Sequence, residues 1–376
     1  MKKKNLLRLL TCAGLLFFAA ALTAQETGRL PVISDQANTQ QRKAGDVSLP
    51  SAQVVVQPVK KGVANKEATP LVSSADVLVN NNNGATGTAG FTQSETSVIA
   101  FGNNVVIGFN DAGSAVTGNH FTGWSYSSDG GATFTDGGVL PASAAGDAGD
   151  PVLARNNTTG RIYFLTLGNT NSNVIQVFRS DDNAVTWQVP VNGTPGGSRE
   201  DKAWIIVDNF AGAGNGNVYL LSRRFASLQG IYFFRSTDNG ATYGPSGGTL
   251  IANNSGGNVQ GAYLAVSTDH SLYAIWYDEG ANNLKGRRST DFGATWSAPV
   301  VIVNSLAGGT NGDLGLTGTR QGLAGFARFR TSKFPHAAIN PVSGHIYVTY
   351  ANDPAGADKA DVSYVMSTDN GTTTGS

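Results

Sequence analysis

The chain has 376 residues, with 48 Gly, 13 Pro and 14% charged side chains, and its 26 basic residues balance its 26 acidic ones. That is the composition of a turn-rich all-β protein and not of a helical one. With no basic excess, neither nucleic acid nor an anionic membrane surface is expected as a partner.

In chain order, the first element is MKKKNLLRLLTCAGLLFFAAALTAQ. Lys2, Lys3, Lys4 and Arg8 precede an apolar run from about Leu9 to Leu22 that gives way to small residues. This order predicts a secretory signal peptide over residues 1–24, cleaved near Ala24, and hence export to the periplasm, the cell surface or the medium. The run is shorter than the roughly 20 residues a spanning helix needs, so no membrane span is expected. The single cysteine, Cys12, falls inside the signal, which leaves the mature chain without disulfides or thiolate ligands. Four basic residues leave with it, so 22 basic side chains face 26 acidic ones, a formal net charge of −4. Residues 25–91 are polar, with QANTQQRKAG and NNNNGATGTAG around weak apolar stretches, and read as a linker with one candidate strand near Pro70–Val79.

From residue 92 the chain repeats itself. SSDGGATF, SDDNAVTW, STDNGATY, STDFGATW and STDNGTTT share the pattern S-x-D-x-G-x-T followed by an aromatic residue, with Ala184 in place of glycine in the second and no aromatic in the fifth. Their aspartates, Asp129, Asp182, Asp238, Asp291 and Asp369, are 53, 56, 53 and 78 residues apart. A period just above 50 residues is the size of a four-stranded propeller blade. Three runs rich in β-branched and aromatic residues precede each motif, as in AWIIVD, NVYLLSRRF and IYFFRS, and a fourth such as SAPVVIVN follows the first four motifs. The predicted fold is a β-propeller of antiparallel four-stranded blades over residues 92–376. Five repeats are visible, and the expected ring is a truncated one of six or more blades, since the chain stops inside its fifth motif. The rival is a five-bladed ring closed by LVSSADVLV.

The motif suits a tight turn between a blade's third and fourth strands. Its Asp can accept hydrogen bonds across the turn, the residue two positions on takes a backbone angle that favours glycine, and the Thr hydroxyl closes the turn. The aromatic residues Phe134, Trp187, Tyr243 and Trp296 are expected to pack into the blade. Five aspartates at one hairpin position are structural parts, not catalytic acids.

These five motifs resemble the Asp-box, or BNR, repeats of the sialidase superfamily, and GDPVLAR, DKAWIIVD and FPHAAINPVSGHIYVTY resemble phrases of exported bacterial sialidase-like proteins. The resemblance implies the propeller but not an activity, because such propellers include both hydrolases and binding modules.

Propeller topology puts the motifs on one face and gathers the starts of the inner strands and the ends of the second strands at the opposite mouth. The starts supply Glu95, Asp150, Glu200, Asp201, Lys202, Gln260 and His336. The ends supply Asp111, Arg223, Arg224, Trp276, Tyr277, Asp278, Glu279, Asn352 and Asp353, and an insertion over 305–333 adds Arg320, Arg328 and Arg330. The candidate ligand-binding set is Glu95, Asp111, Asp150, Asp201, Arg223, Arg224, Tyr277 and Asp278; no catalytic residue is assigned. The family resemblance implies three arginines clamping a substrate carboxylate, and SETSVIAF places Glu95 where the first would stand. His270, His336 and His345 lack metal-ligand spacing. NGDLGLTG is a candidate calcium loop without the spacing of a twelve-residue one, so no cofactor is expected. The expected function is a glycan- or protein-binding module at the cell surface. The alternatives are an exo-glycosidase of the sialidase type and a structural domain of a larger exported protein.

Overall fold

Apolar runs of four to eight residues, punctuated by Gly, Asn and Asp, become short antiparallel strands in the computed structural model. It describes residues 76–81, 93–114, 120–169, 174–306, 321–322, 328–329, 333–352, 361–369 and 371. The chain divides into two units, Met1–Leu71 and Val72–Ser376, and all described residues belong to the second. The predicted signal, most of the linker, the calcium candidate, Arg320, Arg330 and Asp353 lie outside the described residues. Residues 76–79, the described part of the candidate N-terminal strand, adopt no regular structure. Among the described residues no helix is long and apolar enough to cross a membrane.

Blade 1 consists of β1 (Gln93–Phe101), β2 (Asn104–Asp111), β3 (Thr122–Ser127) and β4 (Thr135–Val139). Blade 2 follows with β5 (Val152–Arg155), β6 (Ile162–Leu167), β7 (Ile175–Ser180) and β8 (Val191–Asn192). Blade 3 contains β9 (Glu200–Val207), β10 (Val218–Arg224), β11 (Gly230–Ser236) and β12 (Gly244–Asn253). Blade 4 contains β13 (Val259–Val266), β14 (Leu272–Asp278), β15 (Asn283–Ser289) and β16 (Val300–Val303). A two-stranded ribbon, β17 (Gln321–Gly322) and β18 (Arg328–Phe329), precedes blade 5, whose described strands are β19 (His336–Ile339), β20 (Ile346–Asn352) and β21 (Asp361–Ser367). Every strand pairs antiparallel with its chain neighbour inside its blade, and the whole is a five-bladed β-propeller.

The core lies between blades. Blades 1 and 2 share Val106, Trp124, Leu153, Phe164 and Phe178; blades 2 and 3 share Leu165, Val177, Ile205 and Leu220. Blades 3 and 4 meet through Leu221, Phe233, Leu264 and Ala274, and blades 4 and 5 through Ile275, Tyr277, Ile346 and Val348. In the three middle blades the second strands β6, β10 and β14 are covered on both faces, and all seven residues of β10 are buried, its arginines included. Outer strands such as β4 remain largely exposed.

The five motifs form one repeated turn, and its hub is the serine. Ser127, Ser180, Ser236, Ser289 and Ser367 are buried. Each donates its hydroxyl to the motif Asp two residues on and accepts the N–H four residues on, at 2.9 Å from Gly131, Ala184 and Gly240 and 2.8 Å from Gly293 and Gly371. In the first four motifs the Asp also accepts the N–H and hydroxyl of the Thr, as at Asp291, 2.9 and 2.5 Å from Thr295 N and Oγ1. The position after next from each Asp has φ between 68° and 89°, Ala184 among them. Three of the motif aromatics reach past their own blade. Trp187 lies 5.1 Å from Phe164 and edge-on to Trp124 of blade 1, Trp296 lies 5.1 Å from Phe233 of blade 3, and Tyr243 joins the cluster containing Tyr163 of blade 2.

The turn face is tied between blades by polar contacts. Arg161 in the β5–β6 turn donates to the Asn239 carbonyl in the motif of blade 3, and Arg235 donates to the Phe292 carbonyl in that of blade 4. His270 Nδ1 lies 2.8 Å from Asp208 Oδ2, joining the β13–β14 turn to blade 3. Motif turns and first-to-second strand turns therefore share one face, as the topology requires, and the starts of the inner strands face the other way.

Candidate functional site

The inner strands β1, β5, β9, β13 and β19 surround a cavity of about 410 Å³ at that opposite face. Four of the five begin irregularly. Glu95 (φ 51°), Asp150 (φ 53°), Lys202 (φ 41°) and Gly261 (φ 61°) occupy matching positions in blades 1 to 4 with left-handed backbones. Pairing slips between Ser94 and Ser97 on β1 and between Gln260 and Tyr263 on β13, and slips opposite β9 between Leu221 and Arg223. Such bulges re-aim a side chain, and a non-glycine residue held at positive φ costs on the order of 1–3 kcal/mol. Here they turn three charged side chains into the cavity.

The lining falls into two tiers. The first is Glu95, Asp150, Lys202, Gly261 and Phe334; the second, two residues further along each strand, is Ser97, Val152, Trp204, Tyr263 and His336. Charge gathers on blades 1 to 3. Lys202 Nζ lies 2.7 Å from Glu95 Oε2 and 3.9 Å from Asp150 Oδ2. Aromatic rings gather on blades 3 to 5, with Trp204 and Tyr263 centroids 4.1 Å apart and His336 5.9 Å from Trp204 and 5.2 Å from Tyr263. Glycine is required at 261, since any Cβ there would run into the Phe334 ring that covers it.

Burial, helped by a hydrogen bond with Glu95 and opposed by the Lys202 ammonium, pushes the Asp150 carboxyl up to about 7. Burial and the Lys202 charge push His336 down, which keeps the imidazole neutral at pH 7. Among the described residues no group of His, Cys, Asp and Glu side chains is arranged to hold a metal ion.

Of the eight residues expected to converge on one mouth, Glu95 and Asp150 reach this cavity. Lys202 and His336, also expected among the strand starts, line it with them. The other six are engaged elsewhere. Asp111 closes its own turn, accepting from Gly113 N, Ser114 N, Ser114 Oγ and Gln93. Asp201 accepts the Lys202 N–H at 2.7 Å from behind the rim. Arg223 is buried against Asn254 and Asn258 and over the Phe225 ring. Arg224 is buried in an ion pair with Glu200 at 2.6 Å and lies over the Tyr232 ring. Tyr277 packs in the core between blades 4 and 5 with its hydroxyl on Asn282, and Asp278 pairs with Lys285 at 2.7 Å. In blades 3 and 4 the ends of the second strands are enclosed by both neighbouring blades, which keeps Arg223, Arg224 and Tyr277 from the mouth.

The residues missed were Trp204, Tyr263 and Phe334. Trp204 and Tyr263 sit inside apolar runs that read as core; their signal is position, two residues past the left-handed residues Lys202 and Gly261.

The fold and site thus define a five-bladed propeller with a two-sided mouth. No protein-family model matches the chain, and no curated protein matches it. Similar solved structures include a Dyadobacter fermentans protein of unknown function, at 18% identity and TM-score 0.48 over 77% of this chain and 80% of that one. They also include a Hadza microbial sialidase, at 16% identity and TM-score 0.47 over 75% of this chain and 57% of that one. An endo-arabinase from Bacteroides thetaiotaomicron is similar at 15% identity and TM-score 0.43, over 74% of this chain and 95% of that one.

Proposed function

We propose that the chain is an exported, sialidase-like propeller that binds glycan at its five-blade mouth. The observation that carries this reading is the division of one cavity into an aromatic wall, Trp204, Tyr263 and His336, and a charged wall, Glu95, Asp150 and Lys202. A sugar ring has the same two-sidedness, with apolar C–H faces that stack on aromatic rings and hydroxyls that hydrogen-bond to carboxylates at the edge. The cavity is concave and small, which suits a short oligosaccharide better than a protein surface.

The reading of the site as a glycosidase draws on Asp150, a carboxyl that titrates near neutrality beside a second carboxylate. Geometry speaks against it. Retaining enzymes hold their carboxyls about 5–5.5 Å apart and inverting ones about 6.5–9.5 Å, whereas Asp150 and Glu95 share a hydrogen bond. No arginine lines the cavity among the described residues, and Glu95 and the buried Arg223 and Arg224 leave a substrate carboxylate without a clamp.

Titration calorimetry of the mature protein against a panel of neutral and charged oligosaccharides tests the proposal. Binding that falls at least tenfold in Trp204→Ala and Tyr263→Ala, at unchanged stability, supports it. Binding indifferent to both changes overturns it. Turnover of fluorogenic glycosides, sialosides included, that disappears in Asp150→Asn would instead establish the hydrolase.

A further inference from the structure

Lys202 is the odd member of the charged wall. Glu95, Asp150 and Lys202 come from three successive blades at one register position, so the tier is a pair of carboxylates with a cation held at their edge. Asp150 is the fixed member: its side chain is short and mostly buried, and its N–H donates to Asn110 Oδ1 at 2.6 Å. The cation sits at the end of a flexible stem. Side-chain exposure is 41% for Lys202 and 36% for Glu95, and a pair that exposed contributes about 0–1 kcal/mol. The ammonium can therefore leave for solvent at little cost, while Asp150 stays in place.

Trp204 is two residues beyond Lys202 on the same strand, about 6–7 Å along the same face. A ring packed against the Trp204–Tyr263 pair carries its edge substituents toward the neighbouring tier, where the Lys202 ammonium lies. The charge there selects among substituents. Glu95 and Asp201 outnumber the one nearby cation even where Asp150 holds its proton, and His336, pushed down by burial, is neutral at pH 7. A carboxylate or sulfate substituent would be repelled, and hydroxyl and N-acetyl groups bring no charge.

Resting on the glycan-binding reading, we infer that the mouth selects sugars carrying a free primary amine, whose ammonium takes the place of Lys202 between Glu95 and Asp150. Lys202 is then a tethered stand-in for the ligand. It keeps the carboxylates paired in the empty site and competes with the amine when ligand arrives. The ligand holds an advantage over the stand-in, because its charge is carried on a ring that buries against the aromatic wall.

The test compares a β-1,4-linked glucosamine tetramer with its fully N-acetylated counterpart, by titration calorimetry at pH 7, on the wild-type protein, Lys202→Met and Glu95→Gln. The wild type is expected to bind the amine form at least tenfold more tightly than the acetylated form. Lys202→Met, which removes the competitor and keeps an apolar stem, should widen that preference severalfold. Glu95→Gln should shrink it to threefold or less. Equal binding of the two tetramers by the wild type overturns the amine selection and leaves the glycan-binding reading standing. Lys202→Met weakening the amine form overturns the stand-in role, since the lysine would then be a ligand contact. Failure of both tetramers and of every neutral oligosaccharide overturns the glycan reading itself, and tighter binding of an oligolysine peptide would assign the cation position to a protein partner.

Discussion

Replacing Ser289 with alanine should destabilise the protein at least as much as replacing Asp291, although the serine is the smaller and uncharged partner. Asp291 accepts three hydrogen bonds, from Ser289 Oγ at 2.8 Å, Thr295 N at 2.9 Å and Thr295 Oγ1 at 2.5 Å. Thr295 is exposed, so water can take over its donors in Asp291→Ala, which limits the cost to about 1–3 kcal/mol. Ser289 is 1% exposed and accepts the N–H of buried Gly293, which finds no replacement acceptor in Ser289→Ala. Stranding a buried donor costs about 1–3 kcal/mol by itself, and Asp291 loses a donor as well. Urea unfolding at pH 7, with an unchanged denaturant slope, reads both values. The acid limb separates them further. The Thr295 hydroxyl and N–H hold the Asp291 carboxyl at about 2, below its ordinary value of 3.8. Its contribution is therefore complete above pH 4 and lost as pH falls from about 4 to about 2, so Asp291→Ala and the wild type should converge there. Ser289→Ala should keep its deficit. A neutral Ser289→Ala beside a costly Asp291→Ala would refute the hub role of the serine, and loss of mouth binding in either would refute the separation of the two faces.

The turn glycine makes a steric prediction: Gly240→Ala should cost more than about 2 kcal/mol in urea unfolding, because φ is +74° and the new Cβ would lie 2.5 Å from the Tyr163 ring. Two ion pairs should behave oppositely. Arg224→Ala strands buried Glu200 and should cost about 3–5 kcal/mol, whereas Lys202→Met at the exposed mouth should cost less than about 1 kcal/mol. Asp150 has the reverse pH sense to Asp291. With its pKa raised to about 7, the native state holds the proton more tightly than the unfolded chain, so its contribution is lost as pH rises from about 4 to about 7. Asp150→Asn should remove that dependence and leave the variant more stable than the wild type above pH 7, as thermal melts across that range would show.

The repeat was legible because a turn built from residues at fixed spacing must write itself into the sequence, and five copies leave no other period. The starts of the inner strands were legible for the same reason: counting back from each motif finds Glu95, Asp150, Lys202 and His336. The ends of the second strands were not. Arg223 and Arg224 are charged, yet β10 is covered on both faces and each guanidinium finds partners inside the wall. Pattern alone cannot tell a buried arginine that has partners from one offered to solvent. Trp204 failed in the converse way, an aromatic residue in an apolar run that faces a cavity because a bulge one turn of the pleat earlier rotates the strand. Left-handed backbones at Glu95, Asp150 and Lys202 carry no compositional mark, since glycine holds that angle only at 261.

The serine and aspartate side chains of each motif find their partners within four residues, so a copied blade brings the centre of its hinge with it. Duplication of such a unit needs no matching change in its neighbour to close the hairpin. The far end of the same blade is under no such discipline: its left-handed position at the cavity is Glu, Asp, Lys or Gly in four successive copies. Identical hinges at one end leave the other free to diverge, and a two-sided mouth is what five unequal copies can build.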